Sequence, residues 1–147
     1  MVVVFNFFNF RKKAVCFAGD VGSFTIGIAM VFLIGKLIIA TENLVWVAML
    51  AVFGVDSILT IIHRILLGEN LTMPHRKHVF QLLANELQFS HLLISSVYAL
   101  IQLLLIAGLI VFRENAYLFA GFGVLLLSVV YLIIKQKYYY LHQQKTA

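Results

Sequence analysis

Charge is scarce in this chain. Of 147 residues, 12% are charged and six are acidic. A soluble domain carries about a quarter charged residues and about half apolar ones. Here 63% are hydrophobic and the mean hydropathy is +1.00, which excludes an ordinary water-soluble globule. Cysteine occurs once, at Cys16, so no internal disulfide framework is available. Proline occurs once, at Pro74, which leaves the apolar stretches free of helix breakers. The apolar runs also lack the strict alternation of barrel strands, and backbone groups in lipid must be satisfied within a helix or a closed barrel. The basic residues number eleven, but they lie dispersed at the ends of apolar runs and without interleaved stacking aromatics. That excludes a nucleic-acid groove and fits a membrane edge.

What is present is long hydrophobic stretches. A helix needs about 20 residues to cross a bilayer. Four segments meet that length, at Ser23–Ala40, Leu44–Ile62, Leu92–Phe112 and Tyr117–Ile134. The expected fold is all-α: a polytopic membrane protein of four transmembrane helices. Two connections are tight, Thr41-Glu42-Asn43 and Arg113-Glu114-Asn115-Ala116, and one is a long polar loop, 63–91, with helical pieces of its own. Placing both termini and this loop on one side gathers Arg11, Lys12, Lys13, Arg64, Arg76, Lys77, Lys135, Lys137 and Lys145 there, nine basic residues against Arg113 and Lys36. This asymmetry predicts cytoplasmic termini and a cytoplasmic long loop. Tyr138-Tyr139-Tyr140 beside Lys135 and Lys137 suits a headgroup-level anchor. Met1–Phe5 is apolar but too short to span, and has neither the basic region nor the cleavage site of a signal peptide. It reads as the end of a membrane helix or loop cut from a longer protein.

Three clusters could carry chemistry. In Gly19-Asp20-Val21-Gly22-Ser23 a carboxylate sits on a glycine-flanked turn ahead of an apolar run, with Ser23 as the expected cap of the following helix. An acid at a membrane mouth either complements the helix dipole or serves a cation, a proton or a polar substrate. As a hard oxygen ligand, Asp20 suits Mg²⁺. In the second span, Asp56, Thr60, His63 and Arg64 fall on one helical face. Two readings of that face stand side by side: Asp56 as structural glue to Thr60 or a neighbouring helix, or Asp56 and His63 as the lining of a polar cleft. Arg64 at the helix end suits a phosphate. In Met73-Pro74-His75-Arg76-Lys77-His78, Thr72 and Pro74 predict a helix start, with His75 and His78 on one face and Arg76 and Lys77 beside them, an anion site by charge. Zinc is the rival ligand, without a third donor in view. Asn85, Glu86 and His91 read as loop or helix surface.

These pieces, in this order, resemble the polyprenyl-phosphate N-acetylhexosamine-1-phosphate transferases (glycosyltransferase family 4). Ala14-Val-Cys-Phe-Ala-Gly-Asp-Val-Gly-Ser23 is similar to the family's Phe-x-Gly-Asp-x-Gly-Ser stretch. Val55-Asp56 followed by His63-Arg64 is similar to its later Asp-containing helix ending in Arg, and Pro74–His78 to its cytoplasmic histidine loop. The resemblance spans about Phe10 to Tyr131 and covers the C-terminal part of an architecture of about ten transmembrane helices. It implies transfer of a sugar 1-phosphate, by family habit GlcNAc-1-phosphate, from a UDP-sugar to undecaprenyl phosphate with release of UMP. It implies Mg²⁺, with Mn²⁺ as a substitute, and a place in envelope polysaccharide synthesis at the bacterial inner membrane. Asp20 would be the magnesium-binding aspartate and Phe17 would face the uracil. His75, Arg76 and His78 would hold the diphosphate or shape the sugar pocket, and a homodimer of the full-length enzyme is a further implication.

The departures are specific. The histidine cluster is sparser than the family's and closer to surface-polysaccharide transferases than to the peptidoglycan enzyme. No Asp-Asp pair occurs in the chain, and the Asn- and Asp-rich nucleotide loop is missing. The expectation is therefore an inactive C-terminal fragment of such an enzyme. The alternative is a small four-helix transport or assembly subunit, with Asp56 as an ion relay.

Overall fold

Each long apolar run becomes a helix, because only a helix satisfies its own backbone in lipid. The computed structural model describes residues 2–10, 19–73 and 77–146, with backbone alone for 2 and 139–146. In chain order the helices are α1 (Val2–Asn9), α2 (Gly19–Thr41), α3 (Ala51–Leu66), α4 (Val79–Asn85), α5 (His91–Val111) and α6 (Ala116–Thr146). No strand occurs among the described residues. Four segments are long and apolar enough to cross a membrane: Gly19–Thr41, Leu44–Leu66, His91–Val111 and Arg113–Tyr138. The protein is an all-α, multi-pass membrane protein. Its large apolar side chains point outward along every span, the arrangement lipid accepts and water does not.

The chain divides into two units, Met1–Val47 and Ala48–Ala147. In the first, α2 begins at Gly19, four residues before the expected start at Ser23. Gly19 supplies the positive φ of +64° at the helix entry, and the predicted tight turn is the first turn of the helix. Ser23 is therefore no N-cap. Its hydroxyl donates back to the carbonyls of Gly19 and Asp20, both at 3.0 Å. Along α2 Ile34 alone is buried, and its other apolar side chains are exposed or half-buried. At its far end the chain turns through Glu42 (φ +51°), and the Asn43 side chain accepts from the Val45 N–H at 3.0 Å.

In the second unit, α6 is the common partner, packing against α3, α4 and α5. The α5–α6 hairpin closes tightly because Gly108 leaves room for the Phe119 ring; a Cβ there would lie 2.1 Å from it. Ser90 caps α5, accepting from the Leu93 N–H at 3.2 Å. The last helix is far longer than the predicted 117–134, running on through the Tyr138–Tyr140 stretch.

The second span is not one uniform helix. Leu44–Leu50 winds as a 3₁₀ helix before α3 begins. At the junction the Gln102 amide from α5 is inserted between two backbone groups. Its Oε1 accepts from the Val52 N–H at 3.1 Å, and its Nε2 donates to the Ala48 carbonyl at 3.0 Å. In a continuous α-helix those two groups would bond each other. Gln102 restores both partners where no water is at hand. Gln102→Leu is expected to destabilise the protein by about 1–3 kcal/mol, the penalty for unpaired backbone groups. Thermal unfolding in detergent measures it; an unchanged midpoint would show that the span recloses without the amide.

The C-terminus of α3 lies at Leu66, four residues beyond the expected Ile62. The stop is Gly68, at φ +67°. Its N–H bonds the Ile65 carbonyl at 3.0 Å and the Glu69 N–H bonds the Arg64 carbonyl at 3.0 Å, a Schellman closure that only a residue tolerant of positive φ forms cheaply.

Candidate functional site

The polar residues of α3 face inward. Asp56, Thr60 and Arg64, spaced four apart, are 4%, 0% and 3% exposed, while His63 beside them is half-buried. A charge buried to this degree needs partners. Asp56 Oδ1 accepts from the Val79 N–H at 2.9 Å and from the Thr60 hydroxyl at 3.3 Å, and Oδ2 from the Tyr98 hydroxyl at 3.4 Å. With its proton directed to Asp56, Thr60 takes its own hydrogen bond from the Tyr131 hydroxyl at 2.9 Å. His78 Nδ1 stands 3.7 Å from Asp56 Oδ1. The bond to Thr60 is the structural-glue reading of Asp56. The same carboxylate also lines a cavity of about 160 Å³ among α3, α4, α5 and α6, whose walls are otherwise Val, Leu, Ile and the two tyrosines.

Arg64 organises the segment after α3. Its Nε bonds the Glu69 carboxylate at 3.2 Å, Nη2 donates to the carbonyls of Asn70 and Met73, and Nη1 donates to Leu71. A planar fork with five donors can serve several carbonyls at once, which a lysine ammonium cannot do in this geometry. The guanidinium is engaged by the loop, so a role for Arg64 in phosphate binding would have to displace loop carbonyls. Lys77 pairs with the other Glu69 oxygen, and the Lys135 ammonium donates to the Lys77 carbonyl. Lys135 is 5% exposed and lies 5.5 Å from the Tyr131 ring. Its charged end thus meets the loop although the residue as a whole is buried.

The Lys77 hydrogen bond holds the Glu69 carboxyl below the ordinary glutamate value of 4.5; burial opposes this and Arg64 adds to it. A carboxyl whose value is depressed on folding contributes stability above its unfolded value and loses it as the pH falls toward the folded one. Protease resistance of the 69–73 segment is therefore expected to hold at neutral pH and to decline below about pH 4.5. Glu69→Gln should flatten that decline; an equally steep one in the variant would place the titrating group elsewhere.

The start of α4 differs from the expectation. It begins at Val79, with His78 as an extended N-cap (φ −66°, ψ 149°). Gln81 Oε1 accepts from the His78 N–H at 3.4 Å. Thr72 is not a helix cap: its hydroxyl and N–H both bond Asn70 Oδ1, at 2.8 and 3.0 Å. His78 thus precedes α4, and the expected helical pairing of His75 with His78 falls on a residue outside the described ones. Pro74, His75 and Arg76 lie outside the described residues, and so does Phe17. His78 stacks on Phe80, centroids 5.5 Å apart. Asn85 and Glu86 end α4 and His91 opens α5.

Asp20, in the first unit, is exposed in the first turn of α2. Among the described residues no three His, Cys, Asp or Glu side chains converge on a point where a metal ion would be held. The donor type of Asp20 nevertheless fits Mg²⁺, which commonly takes one or two carboxylates and completes its octahedron with waters and substrate phosphates.

Comparison with models of known protein families, with curated proteins and with solved structures finds no match. The chemistry of the site therefore rests on its own residues. Sequence reasoning found Asp56, Thr60, His63, Arg64 and His78, and the structure brings Asp56, Thr60 and Arg64 to one buried seam with His78 beside it. It missed Glu69, Tyr98, Tyr131 and Lys135. Lys135 had a signal, as a cation directly after the apolar Leu132-Ile133-Ile134; the tyrosines, inside apolar helices, had none.

Proposed function

We propose that this chain is the C-terminal portion of a phospho-N-acetylhexosamine transferase that moves a sugar 1-phosphate from a UDP-sugar to a polyprenyl phosphate at the cytoplasmic face of a bacterial inner membrane. In that reaction an oxygen of the lipid phosphate attacks the sugar-bearing phosphorus, the bond to the uridylate oxygen breaks, and UMP leaves. Phosphoryl transfer of this kind depends on positioning and on charge neutralisation more than on covalent catalysis. Magnesium, when bound, would neutralise phosphate charge, and the carboxylate of Asp20 in the first unit is of the donor type that suits it. In the second unit, the segment ending in Lys77 and His78, with His75 and Arg76 before it in sequence, carries cationic and hydrogen-bonding groups of the kind that bind phosphates.

The observation that carries this reading is the meeting of two motifs 22 residues apart: Asp56 Oδ1 lies 2.9 Å from Val79 N and 3.7 Å from His78 Nδ1. The end of the second motif, at His78, thus lies beside the aspartate of the first, which supports reading them as parts of one unit. The rival reading, a transport or assembly subunit, draws on the buried Tyr131–Thr60–Asp56 chain as an ion relay.

The test is Mg²⁺-dependent release of UMP from UDP-GlcNAc and undecaprenyl phosphate. Membranes containing a longer gene product with paired aspartates upstream are expected to release it, and the purified 147-residue chain is not. An open reading frame that truly starts at Met1 with no such partner nearby would favour the subunit. Release by the isolated chain would overturn the fragment reading.

A further inference from the structure

The backbone of residues 77–79 is held group by group. The Lys77 carbonyl accepts from the Lys135 ammonium, the His78 N–H donates to Gln81 Oε1, and the Val79 N–H donates to Asp56 Oδ1. Val79 is the first residue of α4, so its N–H has no acceptor within the helix. The three bonds come from three different helices, α6, α4 and α3. Of these, the bond from Asp56 is the most deeply buried, with Val79 and Asp56 each 4% exposed. The hydrogen bonds of Asp56 to Thr60 and Tyr98 orient its carboxylate, and the bond to Val79 is the one that leaves the spans and reaches the loop.

We propose that Asp56 is a positioning residue: by accepting the Val79 N–H it sets the backbone of Lys77–Val79, and with it the direction from which the His78 imidazole meets a substrate diphosphate. Asp56 itself does not touch the substrate. The assignment rests on the transferase reading for its chemical consequence, but not for the clip itself.

Two substitutions remove the clip from opposite sides. Asp56→Leu deletes the acceptor. Val79→Pro deletes the donor and leaves α3 untouched; proline suits the first position of a helix, and the extended ψ of 149° at His78 suits the residue before a proline. Asp56→Asn keeps an amide oxygen for the Val79 N–H and serves as the conservative rescue. The readouts, on the full-length gene product in nanodiscs, are amide exchange over residues 77–82 and steady-state transfer from UDP-GlcNAc.

Val79→Pro and Asp56→Leu are each expected to raise exchange at least about tenfold and to lower kcat about tenfold, the equivalent of one lost hydrogen bond to a charged group. KM for the lipid phosphate should stay unchanged. Asp56→Asn should keep both readouts within about threefold of wild type. Wild-type exchange and kcat in Val79→Pro would overturn the proposal, whether or not Asp56→Leu folds. A collapse of kcat in Asp56→Asn with undisturbed exchange would also overturn it, by assigning Asp56 a role through charge. Should wild type show no transfer at all, the transferase reading fails, and the exchange arm still decides whether Asp56 clips the loop.

Discussion

On the proposed transferase reading, Asp20→Asn in the full-length gene product is expected to reduce sugar-phosphate transfer at least about a thousandfold while the protein still inserts and folds. The substitution keeps the size and most of the hydrogen-bonding capacity of the side chain. What it removes is the negative charge that a hard divalent cation requires of its ligand. Little else should change. Asp20 is exposed, its neighbour Ser23 bonds the backbone of the preceding turn, and the loss of favourable interaction with the helix dipole amounts to less than about 1 kcal/mol. A large kinetic effect with a small stability effect separates a metal ligand from a dipole-complementing acid. The measurement is UMP release across a range of Mg²⁺ concentrations, alongside thermal unfolding in the same detergent. Retained activity would remove Asp20 from the metal site and leave the acid as an ordinary feature of a helix N-terminus.

Arg64→Leu should destabilise the second unit by about 3 kcal/mol, with the loop after α3 failing first. The guanidinium serves three carbonyls and one carboxylate, and it is 3% exposed. Its removal strips the Asn70, Leu71 and Met73 carbonyls of that donor and leaves Glu69 with Lys77 alone. Glu69 is part-exposed, so water recovers some of that loss and holds the figure near the lower end for a broken buried pair. Arg64→Lys should rescue little, because one ammonium cannot reproduce the fork. Limited proteolysis within 69–73, together with the unfolding midpoint, checks both claims. A lysine variant as protease-resistant as wild type would mean that charge alone organises the loop.

The loop shows why the site was only half visible in the amino-acid order. Asp56, Thr60 and Arg64 were legible because helical spacing is periodic and polar residues stand out in an apolar run. Gly68, with its positive φ, is the stop that a helix C-terminus commonly uses, yet the apolar run ended earlier at Ile62 and set the expected boundary too soon. Ser23 was misjudged for a similar reason. Hydropathy marks where the apolar stretch begins, whereas the helix begins at Gly19, where the backbone permits it. Thr72 reads in sequence as a helix cap, but the Asn70 side chain takes both its hydroxyl and its N–H, and the Val79 N–H finds its acceptor 23 residues away, while Pro74 lies outside the described residues.

The apolar runs alone dictated four membrane helices, their number and their approximate ends, because transfer of a backbone into lipid leaves no other solution of that length. Charge placement alone led to the expected orientation. Pairings between distant residues came only with the folded chain: Gln102 inserted at the break before α3, Lys135 on the Lys77 carbonyl, and Asp56 on the Val79 N–H. A buried donor or acceptor takes whichever partner the packing of helices brings within about 3 Å. That choice depends on how α3, α4, α5 and α6 pack in three dimensions, and no local pattern of residues encodes it.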